Sequence, residues 1–232
     1  MAHYLVIAAS SAIGQAVTQA LLAQGDTVFT TARDESKIKP DAILDASDFN
    51  AVEAVFRRAG DIQGVVNCSG SLLLKAAHMT TQEQYQSVMN ASLTTAFATV
   101  RAAGLTMKQG GSVVLISSAA ATVGLANHEA IAAAKSALIG LARSAAATYA
   151  NANLRFNVVA PGLVASPLTA GLLNNELALN ASKAMHPLGR VGHPDDIARA
   201  ILFLMDPQNN WITGQVLGVD GGLSAVRAKM KM

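Results

Sequence analysis

The stretch Tyr4-Leu5-Val6-Ile7-Ala8-Ala9-Ser10-Ser11-Ala12-Ile13-Gly14-Gln15-Ala16-Val17 switches hydrophobic period part-way along, and that switch decides the fold. Tyr4 to Ala9 is a short unbroken apolar run, the pattern of a strand covered on both faces. From Ile13 to Gln24 the residues Ile13, Ala16, Val17, Ala20 and Leu21 fall on one helical face, and Gly25 stops the helix. Between the two, Ser10 and Ser11 add hydroxyls beside a helix N-terminus, whose free N–H groups favour an anion such as a pyrophosphate. The turn keeps a single glycine, Gly14, so taken alone it reads equally as an ordinary small-residue connection.

The same alternation runs on to the end of the chain. Thr27–Ala32, Ala42–Leu44, Gly64–Asn67, Ser112–Ser117, Leu154–Ala160 and Gln215–Val219 read as further strands. Phe49–Ala59 reads as a helix, and Thr80-Thr81-Gln82-Glu83 holds a capping-box pattern that opens a long helix towards Gln109. Glu129–Ala150 is an alanine-rich helix, apolar nearly all round, and is expected to be buried on more than one side. A last helix starts at Pro194, with Asp195 and Asp196 near its positive end. Apolar strands alternating with helices predict an α/β protein with a doubly wound parallel sheet. There is no repeat, linker or boundary, so a single domain over residues 1–232 is expected.

Composition narrows the classes. Of 232 residues 51% are hydrophobic and 14% charged, which excludes a disordered chain. One cysteine, Cys68, excludes a disulfide framework and a multi-cysteine zinc site, and His3, His78, His186 and His193 lack metal spacing. Seventeen basic residues balance fifteen acidic ones and are scattered, apart from Arg227, Lys229 and Lys231, which argues against nucleic acid as a partner. The N-terminus lacks a signal-peptide pattern, and no eighteen apolar residues run uninterrupted, so a cytoplasmic protein without a membrane span is expected.

In a sheet of this type ligands bind beyond the carboxyl ends of the strands, which singles out Ala8–Gly14, Arg33, Asn67–Gly70, Ser117-Ser118 and Pro161-Gly162. At these places the sequence resembles the short-chain dehydrogenase/reductase family over essentially its whole length. The first turn is similar to that family's Thr-Gly-x-x-x-Gly-x-Gly, and Asn67-Cys68-Ser69-Gly70 to its Asn-Asn-Ala-Gly. Ile116-Ser117-Ser118 resembles the serine strand and Asn157-Val158-Val159-Ala160-Pro161-Gly162 the Asn-x-Val-x-Pro-Gly motif. Leu188-Gly189-Arg190 and Thr213 through Gly222 resemble the C-terminal signatures. The resemblance implies a Rossmann fold, a nicotinamide cofactor, and hydride transfer to or from a carbonyl or alcohol carbon. By position it makes Ser118 the holder of the substrate oxygen, Lys135 the ribose-binding lysine and Asn90 the helix asparagine that supports a relay water. It places the cofactor against Ala8, Ser10, Ser11, Ile13, Gly14, Arg33, Asp45, Ala46, Asn67, Ser69, Gly70, Lys135, Pro161, Gly162, Val164 and Ser166. It also implies a homodimer or homotetramer, with the Thr81–Gln109 and Glu129–Ala150 helices in the contact.

Two departures matter. The family spaces its proton-donating tyrosine four residues before the lysine, because residues four apart share a helix face. Four before Lys135 is Ile131, and thirteen after Ser118 is Ile131 again, so an aliphatic side chain stands where the phenol is expected. Ala8 and Ala12 also replace glycines; an alanine in a left-handed conformation costs about 1 kcal/mol and adds a methyl towards the phosphates. His128, seven before Lys135, has the spacing used by the tyrosine of the related enoyl reductases and carries an imidazole, a side chain suited to general acid work; alternatively it only begins the helix. Cofactor choice rests on the end of the second strand, where Ala32 replaces the acid of NAD-preferring members and Arg33 is placed to meet a 2′-phosphate, which favours NADP(H) over NAD(H). Leu72-Leu73-Leu74 and Leu168 to Leu179 form apolar substrate-side segments. The expectation is an NADP(H)-dependent oxidoreductase acting on a carbonyl or conjugated alkene of an apolar small molecule with a non-standard proton donor. The alternative is a catalytically silent, cofactor-binding relative serving as partner subunit or sensor.

Overall fold

The computed structural model describes residues 1–227, so Lys229 and Lys231 of the basic tail lie outside the described residues. The strands are β1 (His3–Ile7), β2 (Thr27–Ala32), β3 (Ala42–Ile43), β4 (Gly64–Asn67), β5 (Gly111–Ile116), β6 (Leu154–Pro161) and β7 (Val216–Val219). They form one parallel sheet in the order β3-β2-β1-β4-β5-β6-β7, with the chain reversing its direction of travel between β1 and β4. Helices α1 (Ala12–Ala23) and α8 (Pro194–Met205) cover one face; α2 (Phe49–Ala59), α4 (Thr95–Thr106) and α5 (Glu129–Tyr149) cover the other. This is the doubly wound arrangement expected of apolar strands without polar alternation.

The two-residue period of the strands sorts their side chains between two cores. Leu5, Ile7, Val65, Val113 and Leu115 point to the α2, α4 and α5 side, where they meet Val52, Phe56, Ala102 and Leu138. Tyr4, Val6, Val66 and Val114 point the other way, against Val17 and Leu21 of α1 and Ile197, Ile201 and Leu204 of α8. With both faces buried, the strands can present ligand-binding groups only at their carboxyl ends.

Four local expectations are corrected. The capping box belongs to Thr81 and Gln84, not Thr80 and Glu83: each side chain bonds the other residue's backbone N–H, and this opens α3 (Gln82–Met89). The long helix is not continuous, because a π-turn over Asn90–Thr94 separates α3 from α4. The apolar segment after Leu168 contains two further helices, α6 (Ala170–Leu173) and α7 (Glu176–Met185). Finally, α5 is buried on one face only, through Ile131, Ala134, Lys135, Leu138, Ala142, Ala145 and Ala146, while Ala133, Ser136, Gly140, Arg143 and Ala147 are exposed. The segment Glu129–Ala152 is long and apolar enough to cross a membrane, but Lys135 and Arg143 interrupt it and its inner face packs on the sheet.

Candidate active site

The turn after β1 is built around a strained alanine. Ala8 has φ +59, and the turn is held by bonds from Ala8 N–H to Thr31 Oγ1 (3.3 Å), Ala9 N–H to the Thr31 carbonyl (2.8 Å) and Ser11 N–H to the Ala8 carbonyl (3.0 Å). Thr31 is buried and anchors the turn to β2. Ser11 caps α1 by accepting from Gly14 N–H at 3.1 Å, so its hydroxyl already serves the helix. Ser10 contributes its carbonyl to Gln15 Nε2, and Ile13 packs inward against the α1–α8 core. Gly14 is required by space: a Cβ there would stand 2.6 Å from the Ala8 carbonyl oxygen and 2.8 Å from Ala9 Cα.

At the end of β2 the Arg33 side chain is exposed, close enough to Asp45 and Asp34 to help hold both carboxyls below their ordinary range. In each case the main cause is a serine: Ser47 donates its hydroxyl and N–H to Asp45, and Ser36 does the same for Asp34. Asp34 is therefore turned into its own loop, and Ala46 beside Asp45 is buried. On β4, buried Asn67 donates to Thr99 Oγ1 (2.9 Å) and accepts from Ser69 N–H (2.8 Å), which fixes the path of Cys68, Ser69 and Gly70. That path brings Gly70 against Lys135, with a Cβ at Gly70 lying 3.3 Å from Lys135 Nζ.

Lys135 is the centre of the arrangement. It is 6% exposed and bonds the Ile116 carbonyl at the end of β5 at 2.7 Å, while Ser117 Oγ donates to the Lys135 carbonyl at 2.8 Å. Burial lowers its pKa to about 8, with the neighbouring Cys68 opposing the shift; burial pushes the Cys68 thiol up to about 12, against the pull of Lys135. An ammonium carries three donors, so one carbonyl leaves two for another acceptor. Ser118 follows β5 directly in an extended conformation, and its hydroxyl accepts from Ala120 N–H at 3.2 Å. One turn before Lys135, Ile131 is 4% exposed in an apolar cluster with Val88, Ala130 and Ala134, covered by Leu73 and Met89. His128 stands at the start of α5, half-buried, with Nδ1 2.7 Å from the Ala126 carbonyl.

Asn90, the helix asparagine, opens the π-turn. Its side chain is exposed and accepts from Thr94 Oγ1 at 3.2 Å. The buried side chain of the same turn is Ser92, 1% exposed, whose Oγ has no partner among the described residues; Ser71, next to Gly70, carries a second buried hydroxyl of this kind. Buried hydroxyls without a protein partner are uncommon. Val88, Ser92, Thr95, Ala96 and Thr99 form one buried stripe.

The last wall follows β6. Pro161 ends the strand, and Gly162 lies so close to His186 that a Cβ would meet Nε2 at 2.5 Å. Val164 is buried, bridges to Gly192, and accepts from Thr169 Oγ1 at 2.6 Å; Ser166 shares Thr169 through N–H and hydroxyl bonds of 3.1 Å. The strand-end residues singled out in the sequence thus follow the carboxyl ends of β1, β2, β4, β5 and β6.

A family model described as Enoyl-(Acyl carrier protein) reductase matches residues 7–224. The chain is 30% identical over 238 residues to the 3-oxoacyl-(acyl-carrier-protein) reductase FabG of Vibrio harveyi, covering 96% of this chain and 97% of that one. Among solved structures it is similar to a short-chain type dehydrogenase/reductase from Mycobacterium ulcerans, with TM-score 0.91, 26% identity, and 98% and 91% of the two chains covered. It is also similar to ElxO with NADP bound, with TM-score 0.89, 26% identity, and 96% and 99% covered. With the parallel sheet and the residues at its carboxyl edge, these likenesses establish that the chain belongs to the short-chain dehydrogenase/reductase family of oxidoreductases.

Proposed function

We propose that the protein is an NADP(H)-dependent reductase of the carbonyl group or conjugated double bond of an apolar small molecule, working without the family's tyrosine. The observation that carries this reading is Lys135, a buried ammonium with spare donors beside a glycine, set between the ends of β4 and β5. Such a group needs an acceptor to meet it, and a ribose hydroxyl fits. The α1 N-terminus and Ser10 would hold the pyrophosphate, with Asp45 and Ala46 on the adenine side and Ser69, Gly70, Pro161, Gly162, Val164 and Ser166 around the nicotinamide half. NADP(H) is favoured over NAD(H) because β2 ends in Ala32 followed by exposed Arg33, while Asp34 is committed to Ser36. The similarity to ElxO with NADP bound supports the same choice. When bound, the cofactor supplies the hydride.

The chain's own residues do the rest. Ser118 presents its hydroxyl to the substrate oxygen and stabilises the charge that develops there. The proton comes from a group other than tyrosine: Tyr4 lies in β1, Tyr85 is exposed on α3, and Tyr149 closes α5 against Phe156, fourteen residues and roughly 20 Å from Lys135. His128 is the donor assigned here, since one ring nitrogen is held by Ala126 and the other is available. Leu72-Leu73-Leu74 and the Leu168–Leu179 segment supply apolar walls for the substrate. The protein works in the cytoplasm as a homodimer or homotetramer, with the small exposed residues of α5 facing a second copy.

Ile131 favours a second reading, in which the protein binds cofactor but is catalytically silent: its side chain is packed among Leu73, Val88 and Met89, and carries no proton. One set of assays separates the two. NADPH and NADH are titrated by fluorescence, and hydride transfer to ketones and enones is followed for wild type, His128→Ala and Ile131→Tyr. The reductase reading expects tighter NADPH binding, turnover by wild type, and a loss of about 10²-fold or more in His128→Ala. Binding without turnover, with activity appearing only in Ile131→Tyr, establishes the silent reading.

A further inference from the structure

His186 lies outside every motif of the site, yet its ring is buried to 3% exposure at the end of α7, with both nitrogens engaged. Leu163 donates its backbone N–H to Nε2 at 3.2 Å, and Nδ1 lies 2.6 Å from the Ser182 carbonyl. A backbone N–H only donates and a carbonyl only accepts, so Nε2 must be the bare nitrogen and Nδ1 must carry the proton. The ring is therefore held neutral and in one tautomer. It ties the last turn of α7, on the substrate side, to the Pro161–Val164 turn proposed to face the nicotinamide. Gly162 permits this closeness, and the loop after β7 packs on the same ring: Gly221 lies beside His186 Cβ, its carbonyl accepts from Leu188 N–H at 3.1 Å, and Gly189 N–H donates to the His186 carbonyl at 2.7 Å.

We propose that His186 is a positioning residue, a neutral-imidazole latch that docks α7 on the Leu163 turn and releases it when the ring takes a second proton. A protonated ring presents Nε2–H to the Leu163 N–H, donor against donor, so that bond is lost while the bond to Ser182 persists. The charged groups around the ring are few. From the loop after β7, Asp220 faces it; burial raises the Asp220 pKa, but the Ser224 hydroxyl and the Ser224 and Gly222 N–H groups help hold the carboxyl below its ordinary range. Arg190, Asp196 and Arg199 line the same cavity of about 400 Å³. Arg190 is paired with Asp196 at 2.6 Å and Arg199 lies 3.8 Å from it. Lys183, whose carbonyl accepts the His186 N–H, is on the helix itself.

The latch bears on catalysis only if the reductase reading holds, but it can be tested without turnover. Ring ¹⁵N shifts of His186 in the wild-type protein should report the Nδ1–H tautomer. Amide exchange at Leu163, corrected for intrinsic rate, should accelerate on the order of tenfold as the ring titrates, while β4 and β5 amides stay protected. In His186→Gln, if it folds, Leu163 exchange should lose this pH dependence. Where turnover is measurable, acid should raise KM for substrate before it lowers kcat. An Nε2–H tautomer, or unchanged Leu163 protection once the ring is protonated, overturns the latch. Absent turnover with the expected tautomer and exchange overturns the reductase reading and leaves the latch intact.

Discussion

Replacing Lys135 by methionine should stabilise the protein while abolishing its cofactor chemistry. Burial moves the lysine from its ordinary 10.5 to about 8, and each pKa unit is worth about 1.4 kcal/mol, so the folded state carries about 3 kcal/mol of cost at neutral pH. Methionine keeps most of the stem and removes the charge, but leaves the Ile116 carbonyl without its partner, a loss of about 1 kcal/mol. The net gain is about 2 kcal/mol, or roughly 4–8 °C in Tm for a domain of this size. The sign with pH follows from the depressed value. Below pH 8 both folded and unfolded states are charged and the cost is complete. Between about 8 and 10.5 the unfolded chain binds more protons, so wild-type stability rises with pH and the advantage of the variant shrinks. Cys68 acts oppositely above its ordinary value of 9.0, because the folded thiol resists ionisation up to about 12; the comparison therefore belongs between pH 7 and 9. Over that window the advantage should fall by about 1 kcal/mol. Urea denaturation at the two pH values measures it, alongside NADPH titration, which should show weakened binding. A variant less stable than wild type at pH 7, or an advantage that does not narrow by pH 9, would refute the assignment of Lys135 as a costly buried cation retained for function.

Gly14→Ala should collapse the first turn, since its methyl would meet the Ala8 carbonyl oxygen at 2.6 Å with backbone on both sides; a stability loss of about 2–3 kcal/mol is expected in thermal melts, and a loss below about 0.5 kcal/mol contradicts it. Ala8→Gly should instead relieve the left-handed strain at φ +59, for a stability change within about 1 kcal/mol once glycine's extra unfolded-state entropy is set against it, and should tighten NADPH binding in fluorescence titration. Arg33→Ala should raise the Kd for NADPH by about 10- to 100-fold with little effect on NADH, and an equal loss for both nucleotides would remove Arg33 from 2′-phosphate recognition.

What the sequence made legible, and what it hid, divides along a physical line. The central strands β1, β4, β5 and β6 were readable because burial on both faces makes them apolar runs, and α2 was readable to the residue because its ends are local: Asp48 caps Asn50 and Ala51, and Gly60 at φ +78 ends it. Helices α6 and α7 were hidden because little of them is buried; α7 has Ser182 as its one buried residue and leaves Leu177 in solvent, so no apolar stripe marks it. Within the site, position along the chain was readable and direction was not. Asn90 and Ser92 stand in one π-turn of which the motif gives no sign, the first exposed and the second buried. Ile131 shows the same division. Its spacing from Ser118 and Lys135 reveals that no phenol is present, whereas only packing reveals that the aliphatic side chain is enclosed by Leu73, Val88 and Met89. A tyrosine placed there must displace that cluster, at about 1–3 kcal/mol of overpacking, before its hydroxyl can reach towards Ser118. Ile131→Tyr that gained activity with no loss of stability would show that Leu73 yields freely, and that the cluster is a movable wall of the substrate pocket rather than fixed core.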